Sequence, residues 1–150
     1  MNDFEQVISN LAKESGLPLA IDNKNSVTLE YDDIFITLQW RADFNDIFIF
    51  APITDPEKIS YLSEPVLRSA LKLSFGGFGT SGNFLGIVDE SLVLSTAIGL
   101  KDLNAEQLAE YIFSFANAAE SVRVRIVNEL QDVPETEENT SSVSPLGLSV

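Results

Sequence analysis

Phe4, Val7, Ile8 and Leu11 recur at the i, i+3, i+4, i+7 spacing of one helical face, and Gly16 and Pro18 close that run. The pattern then switches from a period near 3.6 to a period of two. Val27, Leu29 and Tyr31 alternate with polar residues, and Asp32-Asp33 reads as a tight turn. Residues 34–41 (IFITLQWR) resume the alternation, and ADFN leads into 46–51 (DIFIFA). These three runs predict a meander of antiparallel strands. Pro52 ends the third, and Asp55-Pro56 is a helix start. Ile59, Leu62, Val66, Leu67, Ala70 and Leu71 predict a second amphipathic helix, with Pro65 inside it expected to kink or split it. FLGIV and SLVLSTA, either side of Asp89-Glu90, predict a second hairpin. The third helix opens on Asn104, with Gln107 completing a capping box. It continues through Leu108, Ile112, Phe115, Ala119, Val122 and Ile126. The order α-β-β-β-α-β-β-α, with segregated antiparallel strands, is an α+β domain spanning 1–130.

From Gln131 the pattern ends. Residues 131–150 contain Asp132, Glu135, Glu137 and Glu138, no Lys or Arg, and prolines at 134 and 145. Such a segment is expected to be an acidic, disordered tail. The net charge of -14 is not confined to it, because residues 1–130 carry 19 acidic against nine basic side chains. Acidity of this degree argues against nucleic acid, whose phosphates require a basic footprint. The chain has no cysteine, which excludes disulfides and thiolate metal sites. MNDFEQVISN lacks a basic cluster before an apolar block, and no apolar run approaches the roughly 20 residues that span a bilayer. The expected protein is soluble and cytosolic.

Candidate chemistry is sparse. Gly77, Gly79 and Gly82 in SFGGFGTSGN match G-x-G-x-x-G. A dinucleotide fingerprint needs a strand before the glycines and a helix after them, and here the order is reversed. The stretch is therefore expected to be a pliant hinge whose glycines supply positive φ angles. With neither histidine nor cysteine, the commonest bases, nucleophiles and zinc ligands are missing. The carboxylate pairs Asp32/Asp33 and Asp89/Glu90 fall in predicted turns, where Asp serves the local backbone. No catalytic residue, metal or cofactor is expected.

What the sequence has in surplus is apolar faces. Ile34, Ile36, Leu38 and Trp40 share one face of the second strand, while Phe35, Thr37 and Gln39 share the other. In the third strand Ile47 and Ile49 point one way and Phe48 and Phe50 the other. A sheet with one wet face alternates apolar with polar, and this strand does not. Its second face is either covered by the chain's own elements or offered to a partner, which makes Phe35, Thr37, Phe48 and Phe50 candidate partner-binding residues. The apolar width of 66–73 (VLRSALKL) likewise suggests a subunit boundary.

Over residues 1–130 the sequence resembles the class I type III secretion chaperones. The resemblance rests on the element order, the opening amphipathic helix, and the glycine-rich loop leading into FLGIVDESLVLSTAIGLKDLNAEQLAEYIFSFANAAESVRVRI. It implies a cytoplasmic bacterial homodimer without enzymatic activity that holds the amino-terminal region of a secreted effector in extended form. The implied dimer contacts map to 56–73 and 83–88, among them Leu62, Val66, Leu67, Ala70, Leu71, Phe84 and Leu85. Two other classes remain open: an acidic scaffold or regulatory dimer with no secretion role, and a carboxylate-dependent hydrolase or small-ligand protein.

Overall fold

The computed structural model describes residues 1–54 and 62–131. Helix α1 runs Asp3–Ser15, strands β1, β2 and β3 run Ser26–Tyr31, Ile34–Arg41 and Asp46–Pro52, and helix α2 runs Glu64–Ser74. Strands β4 (Phe84–Val88) and β5 (Ser91–Gly99) and helix α3 (Ala105–Gln131) complete the chain. The five strands form one antiparallel sheet in the order β1-β2-β3-β5-β4, so the second hairpin docks onto the meander through β5. The predicted α+β order is the observed one.

Each boundary has a local cause. The Asn2 side chain accepts from the Glu5 amide at 2.7 Å to start α1, and Gly16 at φ 74° closes it by donating to the Ala12 carbonyl. At the start of α3 the Gln107 amide donates to Asn104 Oδ1 at 2.8 Å, and the Asn104 amide donates to Gln107 Oε1 at 3.0 Å. This is the reciprocal capping box that the sequence predicts. Asp32 and Asp33, at φ 50° and 68°, form the two-residue turn between β1 and β2, in the left-handed conformation that matches hairpin twist. Over its 27 residues α3 is about 40 Å long.

All three helices lie on one face of the sheet. Ile34, Ile36, Leu38, Ile47, Ile49, Leu92 and Leu94 are buried beneath Phe4, Val7, Ile8 and Leu11 of α1 and Leu108, Phe115, Ala119 and Val122 of α3. Val66, Ala70 and Leu73 of α2 belong to the same core. Trp40 stacks on Phe4 with ring centroids 6.3 Å apart, and its indole nitrogen is buried without a hydrogen-bond partner among the described residues.

Two expectations change. Described α2 begins at Glu64, so Pro65 sits in its first turn, where the missing N–H has no intrahelical partner to lose. It starts this described helix, and residues 55–61, from which a kink or split would separate it, lie outside the described ones. The expected helix start at Asp55-Pro56, and Ile59 with it, lie outside the described residues. The glycine stretch is also more ordered than a hinge. The Gly79 amide donates to the Leu73 carbonyl at 3.0 Å, and the Gly82 amide to the Gly77 carbonyl at 2.9 Å. Buried Thr80 donates its hydroxyl to the Asn83 carbonyl at 2.7 Å. A Cβ on Gly79 would stand 2.7 Å from the Leu73 carbonyl oxygen, closer than real contacts allow. Gly79→Ala is expected to lower stability by about 1–3 kcal/mol, the usual range for forced crowding in a packed site. Urea unfolding beside Gly86→Ala, whose added Cβ would meet nothing within 4 Å, provides the check.

Candidate polypeptide-binding surface

With the helices on one side, the other side of the sheet is left bare among the described residues. Its residues follow from register. Thr28, Thr37, Phe50, Ser95 and Phe84 form one row across all five strands, and Ser26, Gln39, Phe48 and Ala97 form the next. Phe35 is 55% exposed and Phe84 70% exposed, while Phe48 and Phe50 are partly buried against each other, ring centroids 5.3 Å apart. Thr28 and Thr37 hydroxyls meet at 3.2 Å. The strand parity therefore puts Phe35, Thr37, Phe48 and Phe50 together on the uncovered face. Which face lies inside was not decidable from parity, and burial decides it.

Arg41 is built into this face. Its guanidinium donates to both carboxylate oxygens of Asp46, at 2.8 and 2.6 Å, and lies 4.6 and 4.7 Å from the ring centroids of Phe44 and Phe48. The hydrogen bond to Asp46, helped by its negative charge and opposed by partial desolvation, raises the Arg41 pKa above its ordinary value. The pair neutralises itself and extends the flat apolar surface of the phenylalanines.

A second apolar surface lies along α2, the glycine-rich loop and β4. Leu71 is 75% exposed, Phe75 and Phe78 are more than two-thirds exposed, and Ile87 more than half. Ile87 has the parity of Leu85, on the helix side of the sheet, yet no helix among the described residues covers it. Of the residues expected at a dimer contact, Leu71 and Phe84 are exposed, and Leu62, Leu67 and Leu85 are partly so. Val66 and Ala70 are instead buried in the chain's own core, because they form the inner stripe of α2. Phe84 lies on the bare sheet face in the row of Phe50. Phe75 and Phe78 are additions that the sequence pattern missed: they lie in the loop, outside any periodic run.

An open groove of about 580 Å³ between the end of β5 and the start of α3 is lined by Lys101, Asp102, Leu103, Glu110 and Tyr111, among others. Among the described residues no group of three or more metal-ligating side chains is gathered, and no helix is long and apolar enough to cross a membrane.

The profile of the Tir chaperone protein (CesT) family matches residues 6–123. The chain belongs to that family. Its match spans α1 to most of α3, so both apolar surfaces lie within it. No curated protein matches the sequence significantly. Among solved structures, the ExsC-ExsE complex superposes with a TM-score of 0.64 at 20% identity, covering 80% of this chain and 92% of that one. The HopA1-SchA chaperone-effector complex gives 0.62 at 14%, covering 81% and 93%. The Yersinia pestis type III secretion chaperone SycH, in complex with a stable fragment of YscM2, gives 0.60 at 14%, covering 79% and 98%. At these identities the likeness establishes the shared fold.

Proposed function

We propose that this Tir chaperone (CesT) family member is a cytoplasmic type III secretion chaperone. It binds the amino-terminal region of a secreted effector in extended form and keeps it soluble and competent for export. The observation that carries the reading is a family match over 6–123 on a subunit whose bare sheet face is lined with phenylalanine. Several of its structural neighbours are chaperones solved with the protein they bind. An extended client would seat alternate apolar side chains on Phe35, Thr37, Phe48 and Phe50, and the sheet edges β1 and β4 leave backbone groups open to strand addition. The protein works as a homodimer joined through α2, the glycine-rich loop and β4, where Leu71, Phe75 and Phe78 stand exposed on the single subunit. Function is by binding, without catalysis or cofactor.

Affinity capture from the source bacterium tests this reading. An exported protein should co-purify and be lost when its amino-terminal segment is deleted. Capture of folded partners only, independent of such a segment, would favour a scaffold instead.

Residues 1–130 form the working domain, and the acidic tail from 131 adds little to its stability. Truncation after residue 130 should shift the melting temperature by no more than a degree or two, since residues 131–150 carry like charges and no apolar period. A large drop would mean that the tail docks, with Val143, Leu146 and Leu148 as its apolar contacts.

A further inference from the structure

We infer that Arg41, with Gln39 beside it on β2, docks the main chain of the client by donating hydrogen bonds to its backbone carbonyls. The inference rests on the chaperone reading and says how that site holds a segment whatever its side chains. Arg41 and Gln39 pair with Asp46 and Phe48 of β3, which places both on the bare face of the sheet. An arginine side chain carries five N–H groups in a planar fork. Asp46 takes two of them, one on Nε and one on Nη2. The three left, two on Nη1 and one on Nη2, meet no acceptor among the described residues. They are within reach of a ligand, since 34% of the Arg41 side chain is open to solvent.

Phe44 and Phe48 border the same guanidinium at 4.6 and 4.7 Å. A segment that covers Phe48 therefore also strips water from the open end of Arg41, and a dehydrated donor without an acceptor is costly. The client must bring that acceptor. A carboxylate fits poorly, because Asp46 already balances the arginine, Asp43 stands in the adjoining β2–β3 turn, and the chain carries a net charge of -14. A main-chain carbonyl is neutral, and a segment lying on the face of a sheet, away from its edges, leaves its carbonyls without strand partners. In an extended segment those carbonyls point sideways, and the ones on a given side recur every second residue, about 7 Å apart. Gln39 and Arg41 recur at the same interval on β2. One segment running along the strand thus meets the Gln39 amide and the Arg41 fork with two carbonyls two residues apart.

The probe is an uncharged, fluorescently labelled peptide of about a dozen residues, alternating Val or Leu with Ser or Thr, with a single Phe to set its register. It is titrated against the full chain by anisotropy. Replacing each backbone amide in turn by an ester weakens one carbonyl acceptor and removes one N–H without changing a side chain. Two esters two residues apart should each weaken binding roughly three- to tenfold, the worth of one hydrogen bond, and the others should cost little. Arg41→Lys keeps a cation beside Asp46 but loses the fork, and Gln39→Met keeps the length but loses the amide. Each variant should bind the parent peptide roughly three- to tenfold more weakly. One of the two esters should then cost nothing further, a coupling that a merely structural residue would not produce. The ester series on the unaltered protein reads the same property if a variant does not fold. A peptide with Glu at the sensitive positions should bind no tighter than the parent. Equal or absent ester penalties, penalties undiminished in both variants, or tighter binding of the Glu peptide would overturn the main-chain role while the peptide-binding reading stood. Failure of the parent peptide to bind would overturn both.

Discussion

Leu71→Asp should convert the proposed homodimer to monomer without unfolding the subunit. Leu71 is 75% exposed on its own chain, and Phe75 and Phe78 extend the same surface along the chain with 73% and 84% exposure. Side chains of this size gathered on one surface are uncommon on a protein that works alone. In the proposed dimer the new carboxylate would be buried with no partner, which costs about 3–5 kcal/mol. On the isolated subunit the same carboxylate stays in water, so circular dichroism should be unchanged while sedimentation reports the halved mass. Val66→Asp is the contrasting case. Val66 is buried within the subunit, so charge there should unfold the chain itself. A Leu71→Asp protein that still sediments as a dimer would place the contact elsewhere.

Phe48→Ala combined with Phe50→Ala should reduce client affinity by about 2 kcal/mol or more, the loss typical of aromatic anchors at an interface. That is roughly a thirtyfold weaker dissociation constant. Stability should fall less than it would for a core phenylalanine. The two rings are partly buried against each other and against Arg41, whose cation–π contact with Phe48 is worth about 0.5–1 kcal/mol at an exposed site. Phe115→Ala, on the buried stripe of α3, should instead lower stability by about 3–5 kcal/mol and leave the folded fraction binding normally. Melts and titrations with an effector segment on both variants separate the two roles. Normal affinity with lost stability in the sheet variant would make this face part of the fold.

The elements were legible wherever hydrophobic period and capping chemistry agreed. Helix α3 is the clearest case, since Asn104 and Gln107 announce its start and Leu108 to Ile126 mark its inner stripe. Strand parity likewise sorted Ile34, Ile36, Ile47 and Ile49 from Phe35, Phe48 and Phe50. It could not tell which set was inside, because both are apolar and only the docking of α1 and α3 breaks the tie. Val66 and Ala70 were misplaced for a related reason: a wide apolar stripe does not say which half meets the core. The order in the glycine stretch was hidden because it comes from backbone bonds to Leu73 and Gly77 and from one buried hydroxyl at Thr80. These contacts have no period.

The chain's sole tryptophan gives this architecture an internal optical reporter. Trp40 lies on the helix side of β2, stacked on Phe4, while Phe48 and Phe50 lie on the other side. Its emission should therefore follow the detachment of α1 from the sheet and shift to longer wavelength as water reaches the indole. A client on the opposite face would leave the signal largely unchanged, so unfolding and occupancy can be followed in one sample by intrinsic fluorescence and by a labelled peptide.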